Sequence, residues 1–337
     1  MTLLKRRAVL GAVATSALWS PALWAKPAAL KMSHQFPAGG IDAGDFRDRL
    51  CRLFAAEASR RAGELSFSIH PGAALMRPAQ QFNAMRRGTL DFALMPLSYG
   101  GVDVPEAHIG MLPGVVSSYD QAYAWKNAEI GRELQRVMFE RGIVIVSWVW
   151  QACSLISRGR AVLDPYDAKG MKVRGGSREM DLLLAAAGAD IVAMPSNEIY
   201  QGMKSGAIDA AITSSTSLTS FRLEEVAKVL VTGRGNSFCY SFAPLMMSRM
   251  VYERLRPGQQ AALMAAGEKM EAFARMQIGL DDSVLGRAFH RVGAEVVELT
   301  APAIKRWTTL ARSTSWQDFG VKSLDCNKLL RLAEKSL

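Results

Sequence analysis

Histidine and cysteine are scarce, with four of each in 337 residues. His34, His70, His108 and His290 never fall at metal-ligand spacing, and no H-E-x-x-H run occurs. Cys51, Cys153, Cys239 and Cys326 lie far apart without any C-x-x-C, so the dithiol-oxidoreductase and zinc-ribbon signatures are missing. G-x-S-x-G, the P-loop and a G-x-G-x-x-G after any strand are missing too, which leaves no catalytic constellation to read from the sequence. Triads assemble in space, so an exported hydrolase stays as the weaker alternative. No basic run with interleaved aromatics occurs, and this argues against nucleic acid. Heptads, solenoid periods and low-complexity linkers are also lacking.

What is present describes a globular chain, 49% hydrophobic and 21% charged, long enough for two lobes of ordinary domain size. Its first residues, "MTLLKRRAVLGAVATSALWSPALWA", combine a basic start, an apolar stretch and a small-x-small ending. That pattern is a secretory signal peptide over residues 1–25, cleaved after Ala25. Ser16, Ser20 and Pro21 break the apolar run, which is too short for a retained spanning helix. Arg6 and Arg7 fit twin-arginine export and the general route alike. The leader has no cysteine to accept a lipid, so the mature chain is expected to be soluble and periplasmic. Its loss removes Lys5, Arg6 and Arg7, lowering the formal charge from +10 to +7, a field that still favours anions. In an oxidising compartment the four cysteines allow three pairings, and buried thiols are the plainer alternative.

One phrase is written twice: "MRRGTLDFAL" from Met85 and "MKSGAIDAAI" from Met203. The residues before each glycine place apolar side chains three or four apart, as in a helix, and Gly88 and Gly206 suit a left-handed helix end. Asp91 and Asp209 then lead into short buried strands, followed by the hydroxyl-rich loops "PLSYGG" and "SSTSLTS". Each copy reads as a crossover into a parallel sheet, and ligands lie beyond the carboxyl ends of such strands. Strands and helices alternate on both sides of about Ile143, so the predicted architecture is two α/β lobes facing a cleft. A helix of about 35 residues from Pro257 follows.

"GMKVRGGSREMDLLLAAAGA" is the most informative window. Met171 and Val173 alternate with Lys172 and Arg174, as in a half-buried strand whose last residue emerges at the cleft. Gly175 and Gly176 let backbone approach a ligand, and Ser177 is an N-cap for the next helix. A guanidinium beside a helix N-terminus suits a carboxylate or phosphate. Pairing with Glu179 or Asp181 is the structural alternative.

The order "AKGMKVR", "AAGADIVAMPSNEIYQGMKSGAIDAA" resembles the solute receptors of tripartite ATP-independent periplasmic (TRAP) transporters, the DctP-like family. "SFSIHPGAAL", "GTLDFAL" and "VAKVLVTGRGNSFCYSF" extend the likeness over nearly all of the mature chain. The resemblance implies a two-lobed, type II-like periplasmic binding protein. Each lobe would be a mixed sheet flanked by helices, with a cleft between them and the long helix spanning both. Lobe I would comprise 26–150 plus about 240–279, and lobe II 151–239 plus about 280–337. The family's solute-holding arginine falls on Arg174. Thr213 stands where the family has an asparagine, and Ser154 where some members have a second arginine, which argues against a second clamped carboxylate.

If the family layout holds, "SWVWQACSL" crosses between lobes and Trp150 and Gln151 enter the cleft, although strand tryptophans are as readily core. Gln35, Phe36, Met76, Ser98, Tyr99, Ser214 and Phe238 complete the expected lining. This set suits a monocarboxylate or 2-oxo acid with an apolar, even aromatic, tail. The expected function is capture by hinge closure and delivery to small and large TRAP membrane subunits, without catalysis or cofactor. A cation bridging the solute stays open, as do an ABC-importer receptor and a sensor's ligand module.

Overall fold

The computed structural model describes residues 29–233 and 236–336, so the leader expected over residues 1–25 lies outside the described residues. Two sheets form two lobes. In the first, strand Leu30–His34 lies parallel to Phe67–His70 on one side and to Phe92–Leu94 on the other. Leu245–Ser248 continues that sheet antiparallel, and Ile143–Ser147 closes it. The second sheet has seven strands, with Trp150–Ser157, Ala210–Ser214 and Lys172–Arg174 side by side at its centre.

The repeated phrase does the same work in both lobes. Helices Pro78–Arg86 and Ile199–Ser205 run into Gly88 and Gly206, at φ 69° and 79°, and then into strands Phe92–Leu94 and Ala210–Ser214. Asp91 accepts from the amide of Lys31 at 2.6 Å, and Asp209 accepts from that of Lys172 at 2.9 Å. Each carboxylate thus satisfies an amide at the start of the neighbouring parallel strand.

Two antiparallel segments join the lobes. Ile143–Ser147 of the first sheet continues into Trp150–Ser157 of the second, while Tyr240–Phe242 pairs with Trp150–Ala152 before the chain returns as Leu245–Ser248. Helix Pro257–Arg291 lies across both lobes. Its Leu263, Ala266, Met270, Ala274 and Ile278 are buried in a core with Phe46, Leu50 and Phe54 of the first lobe. Leu285 and Phe289 are buried with Ile199, Ile208 and Leu230 of the second. Among the described residues no helix is long and apolar enough to cross a membrane.

The C-terminal helices do not confine themselves to the second lobe, as the sequence division at about 280 expected. Helix Leu324–Glu334 packs on helix Glu129–Glu140 and on the turn Pro105–Met111 of the first lobe. Trp316 donates to Pro113 O at 2.7 Å, and Arg136 meets Asp325 at 2.9 Å. All four cysteines are buried as free thiols.

Candidate functional site

Arg174 ends strand Lys172–Arg174, and helix Arg178–Ala186 starts just beyond it, capped by Ser177, which accepts from the amide of Met180 at 3.1 Å. The guanidinium is buried at 2% exposure. Its Nε donates to Met194 O at 3.0 Å, Nη1 to Ile212 O at 2.7 Å and Nη2 to the Tyr99 hydroxyl at 3.1 Å. Among the described residues no carboxylate comes within ion-pair distance of it. Glu179, one sequence candidate for pairing, is engaged instead by His108 at 2.9 Å and by Lys322. Asp181, the other, accepts from the amide of Gly175 at 3.2 Å. Burial pushes the Asp181 carboxyl up to about 6, against the pull of Arg174. A buried cation compensated only by neutral oxygens costs several kcal/mol of lost hydration.

Gly176 makes the space the guanidinium occupies. It sits at φ 98°, and a Cβ there would meet Arg174 Nη1 at 2.5 Å.

The first lobe meets Arg174 through Tyr99. Its hydroxyl oxygen accepts from Arg174 Nη2 and from the amide of Ser196, each at 3.1 Å. Gln35 reaches across at 2.8 Å to Ser196 Oγ. These contacts join the two lobes over the pocket in a closed arrangement.

A second guanidinium lies in the same pocket. Arg47, at 1% exposure, comes from the first turn of helix Phe46–Arg61. Its Cζ lies 3.7 Å over the centroid of the Phe36 ring. Nε and Nη2 bind Asp45 at 2.9 and 2.6 Å, and Nη1 donates to Ser217 Oγ of the second lobe at 2.8 Å. Arginine forks the carboxylate of Asp45 and still carries N–H groups to spare. Phe36, Arg47, Tyr99, Gln151, Arg174 and Thr213 bound the pocket, whose cavity volume in this closed arrangement is about 20 Å³. Ser214 and Ser241 add hydroxyls to its wall.

The expected lining therefore divides. Gln35, Phe36, Tyr99, Gln151, Arg174, Thr213 and Ser214 come together around this space. Ser98 borders a wider depression of about 380 Å³, shared with Tyr99, His108, Asp181 and Met194. Met76 is half-buried against the core beside it and lines neither space. Trp150 faces away from the pocket. It stacks on Phe242 at 4.7 Å and meets Trp125 edge-on at 5.3 Å. Adjacent residues of a strand point to opposite faces, so Gln151 in the pocket puts Trp150 in the core. Ser154 and Phe238 border a separate small cavity behind the sheet. There Ser154 bonds Thr232 at 3.0 Å, and Phe238 stacks on Trp307 at 4.6 Å.

Arg47, Ser196 and Ser241 were not anticipated, whereas Ser217 belongs to the hydroxyl-rich loop read from the sequence. Arg47 had a readable trace, an Asp-x-Arg at the start of an amphipathic helix that follows a glycine-rich loop. Among the described residues no group of three or more His, Cys, Asp or Glu could hold a metal ion.

Comparison with known proteins gives the family. Residues 45–320 match the model of DctP, bacterial extracellular solute-binding protein, family 7. A solute-binding protein of Albidiferax ferrireducens is 52% identical over 329 residues, 97% of either chain. The crystal structure of a TRAP periplasmic solute-binding protein from Rhodoferax ferrireducens, with bound malonate, is 53% identical, with a TM-score of 0.89 over 91% of this chain and 98% of that one. A TRAP protein of Sulfitobacter with bound β-D-galacturonate shares the fold at 22% identity, with a TM-score of 0.82 over 91% of this chain and all of that one. The chain belongs to the DctP family of bacterial extracellular solute-binding proteins, the substrate-binding receptors of TRAP transporters rather than enzymes.

Proposed function

We propose that this chain is a periplasmic receptor that captures a short organic anion by closure of its two lobes and delivers it to TRAP membrane subunits. The observation that carries the reading is Arg174, a buried guanidinium at the seam of the lobes without a carboxylate partner among the described residues. A solute carboxylate supplies the missing negative charge, and a charge-assisted, sheltered contact of that kind contributes about 1.5–3 kcal/mol. Family membership favours TRAP subunits over an ABC importer or a sensor as the recipient, and the exported location of the family supports a periplasmic address.

The solute is a compact acid with a second oxygen group. The aromatic tail considered from the sequence loses two of its walls, because Trp150 and Phe238 pack elsewhere. In their place Arg47 and the hydroxyls of Ser217 and Ser241 offer donors opposite Arg174. The bound malonate of the Rhodoferax relative supports a small acid carrying two oxygen-bearing ends. We therefore infer a 2-oxo acid, hydroxy acid or dicarboxylate of malonate-like size, with one carboxylate on Arg174 and the other group towards Arg47.

Calorimetric titration with malonate, succinate, short 2-oxo acids and an aromatic 2-oxo acid tests this. Saturable binding of the short acids, recovered chemically unchanged, is expected. Tighter binding of the aromatic acid would overturn the proposed size and polarity of the site, and turnover of any of them would overturn the receptor reading.

A further inference from the structure

Outside the pocket, the two crossing segments bring two cysteines face to face. Tyr240 is the antiparallel partner of Ala152, so the next pair along is Cys239 opposite Cys153. The amide of Cys153 donates to Cys239 O at 2.9 Å. Facing residues of such a hydrogen-bonded pair lie about 5.5 Å apart at Cα, inside the ~4.4–6.8 Å span that a disulfide bridges. The return bond of the ladder is missing. The amide of Cys239 donates to Ser237 Oγ at 3.1 Å, and Ser237 donates in turn to Cys153 O at 2.9 Å. That detour loosens the pairing where a short adjustment of the two Cβ atoms is needed. Cys51 and Cys326 sit on helices Phe46–Arg61 and Leu324–Glu334 and do not share this strand pair.

We propose that Cys153 and Cys239 form a disulfide that staples the two crossing strands when the chain folds in an oxidising compartment. The proposal rests on the exported location put forward above. Two S–H bonds break and one S–S bond forms. The two electrons and two protons pass to a disulfide donor of the thiol-oxidase class, which becomes a dithiol. Both thiols are buried in the finished fold. Burial disfavours the nucleophilic thiolate, so the exchange takes place while the strands are still assembling. The staple ties the hinge on the second-lobe side, close enough to Arg174 for its charge to reach Cys239.

The test is a thiol map. The full chain is recovered from the envelope fraction, denatured, blocked with iodoacetamide without reductant, and digested. Blocked Cys51 and Cys326 are expected, with the Cys153 and Cys239 peptides linked and the intact mass lower by two hydrogens. The same link is expected after refolding the chain in an oxidising glutathione buffer, an arm that reads the disulfide independently of export. Four blocked cysteines in both preparations, or a link that includes Cys51 or Cys326, would overturn the proposal. In the oxidised chain reductant should lower the melting temperature, whereas the Cys153→Ala/Cys239→Ala variant should melt alike with and without it. A linked chain whose melting ignores reductant would overturn the stapling role.

Discussion

The Tyr99 hydroxyl accepts from Arg174 at 3.1 Å, joining the loop after strand Phe92–Leu94 of one lobe to the end of strand Lys172–Arg174 of the other. The same oxygen accepts from the amide of Ser196, so both contacts exist only when the cleft is shut. Tyr99→Phe keeps the ring and removes both contacts. The expected result is solute binding weaker by about 1–2 kcal/mol, roughly 5- to 30-fold, with the melting temperature of the unliganded protein nearly unchanged. Titration calorimetry beside a thermal melt separates the two effects.

Gly176→Ala tests the space around the guanidinium. The added carbon would meet Arg174 Nη1 at 2.5 Å at a φ of 98°. Backbone strain of about 1–2 kcal/mol and a displaced fork are expected. Affinity should fall by roughly tenfold or more while circular dichroism still reports a folded protein.

Arg47 distinguishes a second carboxylate from a neutral second group. Arg47→Met keeps a long apolar stem over Phe36 and deletes the fork that meets Asp45 and Ser217. Malonate binding should weaken by about 10- to 100-fold, and binding of a short monocarboxylate by much less. Equal losses for both, by calorimetry, would assign Arg47 to lobe closure alone.

Solute affinity should depend on pH through Asp181. Its carboxyl titrates at about 6, raised chiefly by burial, beside the positive charge that the solute is proposed to use. An anion bound at Arg174 adds repulsion and raises that value further, so binding takes up a proton. Affinity for an acid ionised throughout is therefore expected to increase as pH falls from 8 to 5, and Asp181→Asn should flatten the profile. The stability term has its own sign. The folded value lies above the unfolded value of about 3.9, so this carboxyl destabilises the fold increasingly as pH rises from about 4 through 6.

Trp150→Phe should lower stability by about 1–3 kcal/mol and leave affinity unchanged, because the indole is wedged between Trp125 and Phe242. Chemical denaturation and calorimetry together check both halves of that statement.

Much of the scaffold was legible because it rests on local rules. Gly88 and Gly206 end helices, Asp91 and Asp209 cap neighbouring strands, and the long helix runs from Pro257 as its pattern required. Arg174 stood out as the last residue of a strand entering a glycine pair, and the family resemblance singled it out further. Arg47 stood out less, since its helix also carries Arg49, Arg52, Arg60 and Arg61, and only the Asp-x-Arg at its start sets it apart. Its helix packs against Pro257–Arg291, a contact some two hundred residues away in sequence. Trp150 was misplaced because a family layout was weighed above the two-residue period of the strand. Ser154 and Phe238 line a separate cavity, where Thr232 and Trp307 are their partners, and neither contact is local in sequence.

The most direct measurement is titration of malonate into the parent protein, Arg174→Lys and Arg174→Ala. Loss of the fork should cost about 2–5 kcal/mol of binding in Arg174→Ala, roughly 30-fold or more, with Arg174→Lys in between. Unliganded Arg174→Ala should melt no lower than the parent, because an uncompensated buried charge has been removed. An alanine variant that binds malonate as tightly as the parent would contradict the account.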